Sequence, residues 1–118
     1  MKALDIFIKT YGLDHPKVAT IWNNLGLVWY SLGKHEKAIE YYEKALKSDL
    51  KTYGPDHLDV AIDWNNMGTA WKALGKYDKA IEYNGKALKV FEKSLGKDHP
   101  NTKGVKRNLE EARRMQKK

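Results

Sequence analysis

Apolar positions fall into the same helical rhythm twice along the chain, 42 residues apart. Trp22, Leu25, Trp29 and Leu32 lie at i, i+3, i+7 and i+10, which makes one stripe of an amphipathic helix. After Gly33-Lys34 a second set follows: Ala38, Ile39, Tyr42, Ala45, Leu46 and Leu50. The spacing predicts helices over roughly Pro16 to Leu32 and His35 to Tyr53. A connection this short makes them an antiparallel hairpin. The motif Trp22-Asn23-Asn24-Leu25-Gly26 returns as Trp64-Asn65-Asn66-Met67-Gly68, followed by Trp71, Gly75, Ala80, Ala87 and Leu88. Between residues 3–44 and 45–86, 24 of 42 positions are identical. Each unit is therefore one supersecondary element that needs neighbours to bury its apolar face.

The punctuation sets the register. Tyr11-Gly12-Leu13-Asp14-His15-Pro16 is echoed by Tyr53-Gly54-Pro55-Asp56-His57-Leu58 and Leu95-Gly96-Lys97-Asp98-His99-Pro100. The glycine closes one helix. The Asp ahead of the next offers a carboxylate to its first N–H groups, and Pro suits its first turn. The chain then divides, within a single domain over 1–118, into the partial second helix of an earlier unit (1–12), a first repeat (13–54), a second (55–96) and a last helix (97–118).

Within unit one, Gly26 interrupts the apolar stripe at a cost of about 1 kcal/mol in helix propensity. Close approach of another backbone, opposite Ala38 and Ala45, is the expected reason. Unit two carries an irregularity, since Asn84-Gly85 stands where unit one has Tyr42-Glu43. The periodicity predicts a continuous helix there, weakened by a lost aromatic and a mid-helix glycine, so that restoring Tyr and Glu stabilises it. In the last helix Lys106, Glu110 and Arg113 replace Trp22, Gly26 and Trp29, leaving Val105, Leu109 and Ala112 to pack inward. That is the composition of a capping helix.

Charge and composition narrow the function classes. The net charge is +7, but five of that surplus come from residue 101 onward, where seven Lys/Arg face Glu110 and Glu111. The body is nearly balanced, which argues against a nucleic-acid surface. No apolar run is long enough for a membrane span, no secretory leader is recognisable, and there is no cysteine. A cytoplasmic chain is the expectation.

Nothing in the spacing suggests catalysis, a cofactor or a metal. There is no phosphate-binding glycine loop and no supported Ser/His/Asp arrangement. His15, His57 and His99 recur one per unit at helix starts, where helix layers roughly 8–10 Å apart keep their imidazoles from sharing a metal. Capping or turn packing is the better reading, and His35 is a surface or hairpin residue. The tryptophans and Tyr41, Tyr42 and Tyr83 sit at core spacing rather than as stacking platforms.

Trp-x2-Leu-Gly-x2-Trp-x3-Gly-x-His-x2-Ala-x3-Tyr-x2-Ala-Leu, with its second copy, resembles the tetratricopeptide repeat over nearly the whole chain. The 42-residue period and the Asp-His-Pro lead-in resemble the extended repeats of kinesin light chains. Departures are His35 at a usual Tyr position and Asn84-Gly85. The resemblance implies an all-α fold, a right-handed superhelix (α-solenoid) of antiparallel hairpins with about five to six helices. It also implies a non-catalytic protein-interaction role, with the first helix of each repeat lining a concave peptide-binding groove.

If the Trp stripe faces inward, the groove face of unit one carries Thr20, Asn23, Asn24, Leu27, Tyr30 and Ser31. Unit two contributes Ile62, Asn65, Asn66, Thr69, Lys72 and Ala73, and the last helix Arg107, Asn108, Glu111 and Arg114. Asn24, Asn66 and Asn108 occupy the position where similar proteins bond a ligand's backbone. An amide donates and accepts, so a ladder of them can hold an extended chain; the same amides can equally bridge neighbouring helices. A carboxylate clamp is disfavoured because Thr20 and Ile62 stand where its lysine belongs. The partner is expected to be a protein or peptide. The alternative is an array that self-associates end to end through the uncovered N-terminal helix, with Ala3, Leu4, Phe7 and Ile8 as its apolar face.

Overall fold

The computed structural model describes residues 16–117. The expected helix over 1–12 and the start signal at Asp14 and His15 lie outside them. Within them are five helices and no strand: α1 (Pro16–Ser31), α2 (His35–Tyr53), α3 (Leu58–Ala73), α4 (Tyr77–Leu95) and α5 (Pro100–Gln116). Each packs on the next in sequence, and α3 also touches α5. The units are thus two antiparallel hairpins, α1–α2 and α3–α4, with α5 laid on the second.

The turns follow from local chemistry. Gly33 takes a φ of +78°, its N–H donates to Tyr30 O, and Lys34 N–H donates to Trp29 O. This pair of bonds closes α1 in a Schellman motif, which needs the left-handed conformation that glycine adopts freely. Gly75 and Lys76 repeat it against Lys72 and Trp71.

At the helix starts the histidines cap, as their position suggests, and the aspartates do not take the expected role. It is the histidine, not the preceding aspartate, that caps: His57 Nδ1 accepts from Asp59 N–H, and His99 Nδ1 accepts from Asn101 N–H, each at 3.0 Å. The ring of His57 also stacks on Tyr53 at 4.0 Å. An imidazole nitrogen lying two residues ahead of a free N–H does what a shorter Asp or Ser side chain usually does.

Three apolar clusters fill the layers. Val18, Trp22, Leu25 and Ala45 join α1 to α2. Ala38, Ile39, Tyr42, Met67 and Ala70 carry the core into unit two, and Ala61, Ala87, Val90, Phe91 and Val105 carry it on to α5. Val105, Leu109 and Ala112 are buried, while Lys106, Glu110 and Arg113 are exposed. Leu32 departs from the stripe because it falls beyond the end of α1, and is 65% exposed. Each tryptophan has a lysine over its ring: Lys44 on Trp22, Lys37 on Trp29, Lys86 on Trp64 and Lys79 on Trp71, the last at 4.3 Å. Part of the lysine content is therefore spent on cation–π contacts within the hairpins.

Gly26 does not meet a backbone. A Cβ there would fall 2.5 Å from Cε1 of Tyr42, so the glycine makes room for that ring. In unit two Gly68 faces Asn84 in the same way, with Nδ2 at 2.5 Å from such a Cβ. The helix α4 is continuous through Asn84-Gly85, as the periodicity predicts. Asn84, however, is fully buried and donates to Asn65 Oδ1 at 2.9 Å. It is a polar link between helices rather than a bare loss of packing. Gly85 has open space where a side chain would go.

Candidate functional site

The first helices of the units, α1, α3 and α5, bring several of the residues expected on one face into hydrogen-bonded contact from unit to unit. Asn66 Nδ2 donates to Asn23 Oδ1 at 2.9 Å, and one unit on Asn108 Nδ2 donates to Asn65 Oδ1 at 3.3 Å. The amides thus bridge helices in a stagger of 43 residues, which is the interhelical alternative the sequence left open. Asn24, the first rung of the anticipated ladder, is exposed. Thr69 Oγ1 donates back to Asn65 O at 3.0 Å.

Farther along the face, Lys72 Nζ lies 3.3 Å from Glu111 Oε1, tying α3 to α5. Tyr30 is half-buried, with its ring 4.8 Å from that of His35. Burial pushes the Tyr42 phenol up to about 12, with the neighbouring Tyr30 adding to the effect. Leu27, Ile62, Arg107 and Arg114 are exposed. The structure therefore brings Asn23 to Asn66, Asn65 to Asn108 and Lys72 to Glu111, and leaves Asn24, Leu27, Arg107 and Arg114 open to solvent.

Two clefts open at equivalent places one repeat apart. The first, about 210 Å³, is bordered by Thr20, Asn23, Asp49, Tyr53, Ile62 and Asp63 among others. The second is bordered by Ile62, Asn65, Phe91, Asn101, Val105 and Arg107 among others. In the 42-residue register Phe91 and Val105 of the second are Asp49 and Asp63 of the first. Both carboxyls are buried, Asp63 to 2% exposure, and they border the same cleft from the two sides of the α2–α3 interface. Burial raises both above the usual carboxylate value; for Asp63, held up to about 10, the proximity of Asp49 and the charges of Asp49 and Asp59 add to the rise.

The tetratricopeptide repeat profile matches residues 1–51 and 18–84. The chain belongs to the tetratricopeptide repeat family. No curated protein matches it. Among solved structures, BtubC (BKLC) from P. vanneervenii is similar at a TM-score of 0.87 and 29% identity, covering 96% of this chain and 45% of that one. A Podosopora anserina chain described as a kinesin light chain with nearly identical TPR-like repeats has the same fold at a TM-score of 0.75 and 21% identity, with 96% and 54% covered. A second structure under the same description gives 0.77 and 21%, with 96% and 53% covered. This chain spans about half the length of these solved relatives.

As a tetratricopeptide repeat domain it is an all-α solenoid, of a kind that generally serves protein–protein interaction or scaffolding without catalysis. Among the described residues no group of three or more His, Asp or Glu side chains is placed to hold a metal, and no helix is long and apolar enough to cross a membrane. Asp49 and Asp63 are absent from the sequence-based candidates, and Asn84 figures there only as a loss of packing. The signal for all three was in the register: a polar residue at a position that other copies give to Tyr42, to Phe7 and Phe91, and to Ile21 and Val105.

Proposed function

We propose that this domain is a non-catalytic interaction scaffold that holds an extended or helical peptide along the face of α1, α3 and α5. The observation that carries the reading is the composition of that face. Leu27 and Ile62 remain 45% and 40% exposed beside amides and a lysine already fixed by Asn23–Asn66, Asn65–Asn108 and Lys72–Glu111. Apolar anchors among pre-oriented polar groups suit a peptide, because little side-chain entropy is left to lose on binding. Asn24, Tyr30, Thr69, Arg107 and Arg114 complete the surface, and the charged outer side of α5 suits a capping role. A cytoplasmic setting fits a chain without cysteine.

The test is selection from a random peptide library followed by the double variant Leu27→Asp with Ile62→Asp. Both side chains are exposed, so the fold is retained. Selected peptides lose at least about tenfold in affinity, the loss of one buried apolar anchor. Unchanged binding places the site elsewhere.

A second reading, end-to-end association of copies, is favoured by Val28 and Leu32, which are 53% and 65% exposed on unit one. Sedimentation over a concentration series decides it: a strict monomer at high concentration removes this reading.

A further inference from the structure

The α2–α3 interface is polar where the α4–α5 interface is apolar. Ser48, Asp49 and Asp63 occupy the places of Val90, Phe91 and Val105, and all six are buried. The fold does not require acids there, since the next interface is built from the apolar set. These polar groups are also incompletely satisfied, because Asp63 Oδ2 and Ser48 Oγ are buried without a hydrogen-bond partner. A buried acceptor of this kind is destabilising unless something donates to it. Asp63 borders the first cleft together with Asp49 and Asp59, and the cleft opens beside Thr20, Asn23 and Ile62 on the groove face.

We propose that this cleft is a pocket for a basic side chain, the guanidinium or ammonium group of an arginine or lysine on the peptide held in the groove. The inference rests on the groove reading and adds a specificity to it. The second cleft, bordered by Phe91, Val105 and Arg107 among others, has no acid in its lining and does not take a cation. Along the groove the order of preference is therefore a basic residue at the first cleft and none at the second.

The charges around the pair come from three helices. Asp59 stands on α3, with His57 Nδ1 3.9 Å from its Oδ2, and Lys17 of α1 and Tyr53 of α2 also border the cleft. Unliganded, Asp63 retains its proton at neutral pH because burial holds it up to about 10. An entering cation replaces that proton, which passes to solvent, and two carboxylates then face one positive group. Binding therefore releases a proton, and affinity rises with pH.

The probe is N-acetyl-arginine amide, with the citrulline analogue as its uncharged isostere, titrated by NMR against the 118-residue chain. A blocked amino acid has no peptide chain to lay along the groove, so it reports on the pocket alone, while the library selection reports on the groove. The expected result is saturable shifts at Thr20, Asp49 and Asp63 with the arginine and none with citrulline. Affinity tightens by up to about tenfold per pH unit between about pH 6 and 8, the limit for one displaced proton.

Two variants separate binding from folding. D49F/D63V installs the pair that the next interface already uses, so it folds, and it loses the arginine response. D63N preserves shape and binds more weakly, without the pH dependence. Absence of a saturable arginine response, equal binding of citrulline, affinity unchanged by pH, or full binding by D49F/D63V overturns the pocket. If the pocket fails while library peptides still depend on Leu27 and Ile62, the groove stands without it.

Discussion

Asn84 Nδ2 donates to Asn65 Oδ1 at 2.9 Å from a fully buried position that unit one gives to Tyr42. The same oxygen accepts from Asn108 at 3.3 Å, so one carbonyl on α3 joins α4 and α5. Asn84→Ala removes the shorter bond and opens a small void. The expected loss is about 1–3 kcal/mol, read as a lower urea midpoint. A midpoint equal to wild type would mean that the bond only offsets the cost of burying Asn84, whose own Oδ1 has no partner.

Gly85, the next residue, behaves independently. Apart from its own turn of helix, nothing lies within 4 Å of where its Cβ would be, and it sits inside α4. Gly85→Ala therefore changes helix propensity without changing contacts, and it stabilises the domain by about 1 kcal/mol. A thermal midpoint that does not rise contradicts the placement of Gly85 in open helix.

The histidine caps make a third prediction. His57→Ala leaves the N–H of Asp59 without its acceptor and costs about 1 kcal/mol, detectable in chemical denaturation. His57→Asn restores an acceptor at the same place and recovers most of the loss. If Asn does no better than Ala, the stacking of His57 on Tyr53 at 4.0 Å is what matters instead.

These residues show how much of the fold could be read directly. The helices, the hairpins and the inward face of α5 follow from a rhythm written twice, because Trp22, Leu25 and Ala38 are placed by periodicity alone. What stands opposite Gly26 was not readable in the same way. A glycine in a stripe says only that something comes close, and whether it is a backbone or the ring of Tyr42 depends on the crossing of two helices. The recurring amides are visible in the sequence but their pairing is not, since Asn23 reaches Asn66 through a stagger that one-dimensional register does not contain. Asp49 and Asp63 are a different case. Each breaks an apolar column of the repeat, and the break is visible in sequence, but only the fold shows that the two breaks touch.

Their meeting sets the pH dependence of stability. In the unfolded chain both carboxyls are ionised by neutral pH, whereas the folded pair retains a proton because burial, above all, raises both and holds Asp63 up to about 10. The folded state binds more protons, so stability falls as pH rises from the ordinary carboxylate range through neutrality. The slope is at most about 1.4 kcal/mol per pH unit for one proton. Replacing the pair with its apolar counterpart, D49F/D63V, removes this contribution and stabilises the domain by about 1–4 kcal/mol near neutrality, as for other buried charge clusters exchanged for well-packed apolar groups. Urea denaturation of both proteins from about pH 5 to pH 9 measures the two effects together. The expected result is a gap between them that widens with pH, because only the wild type must take up a proton on folding. A gap that is constant or narrows would show that this proton is absent from the folded state, and that another donor satisfies the pair.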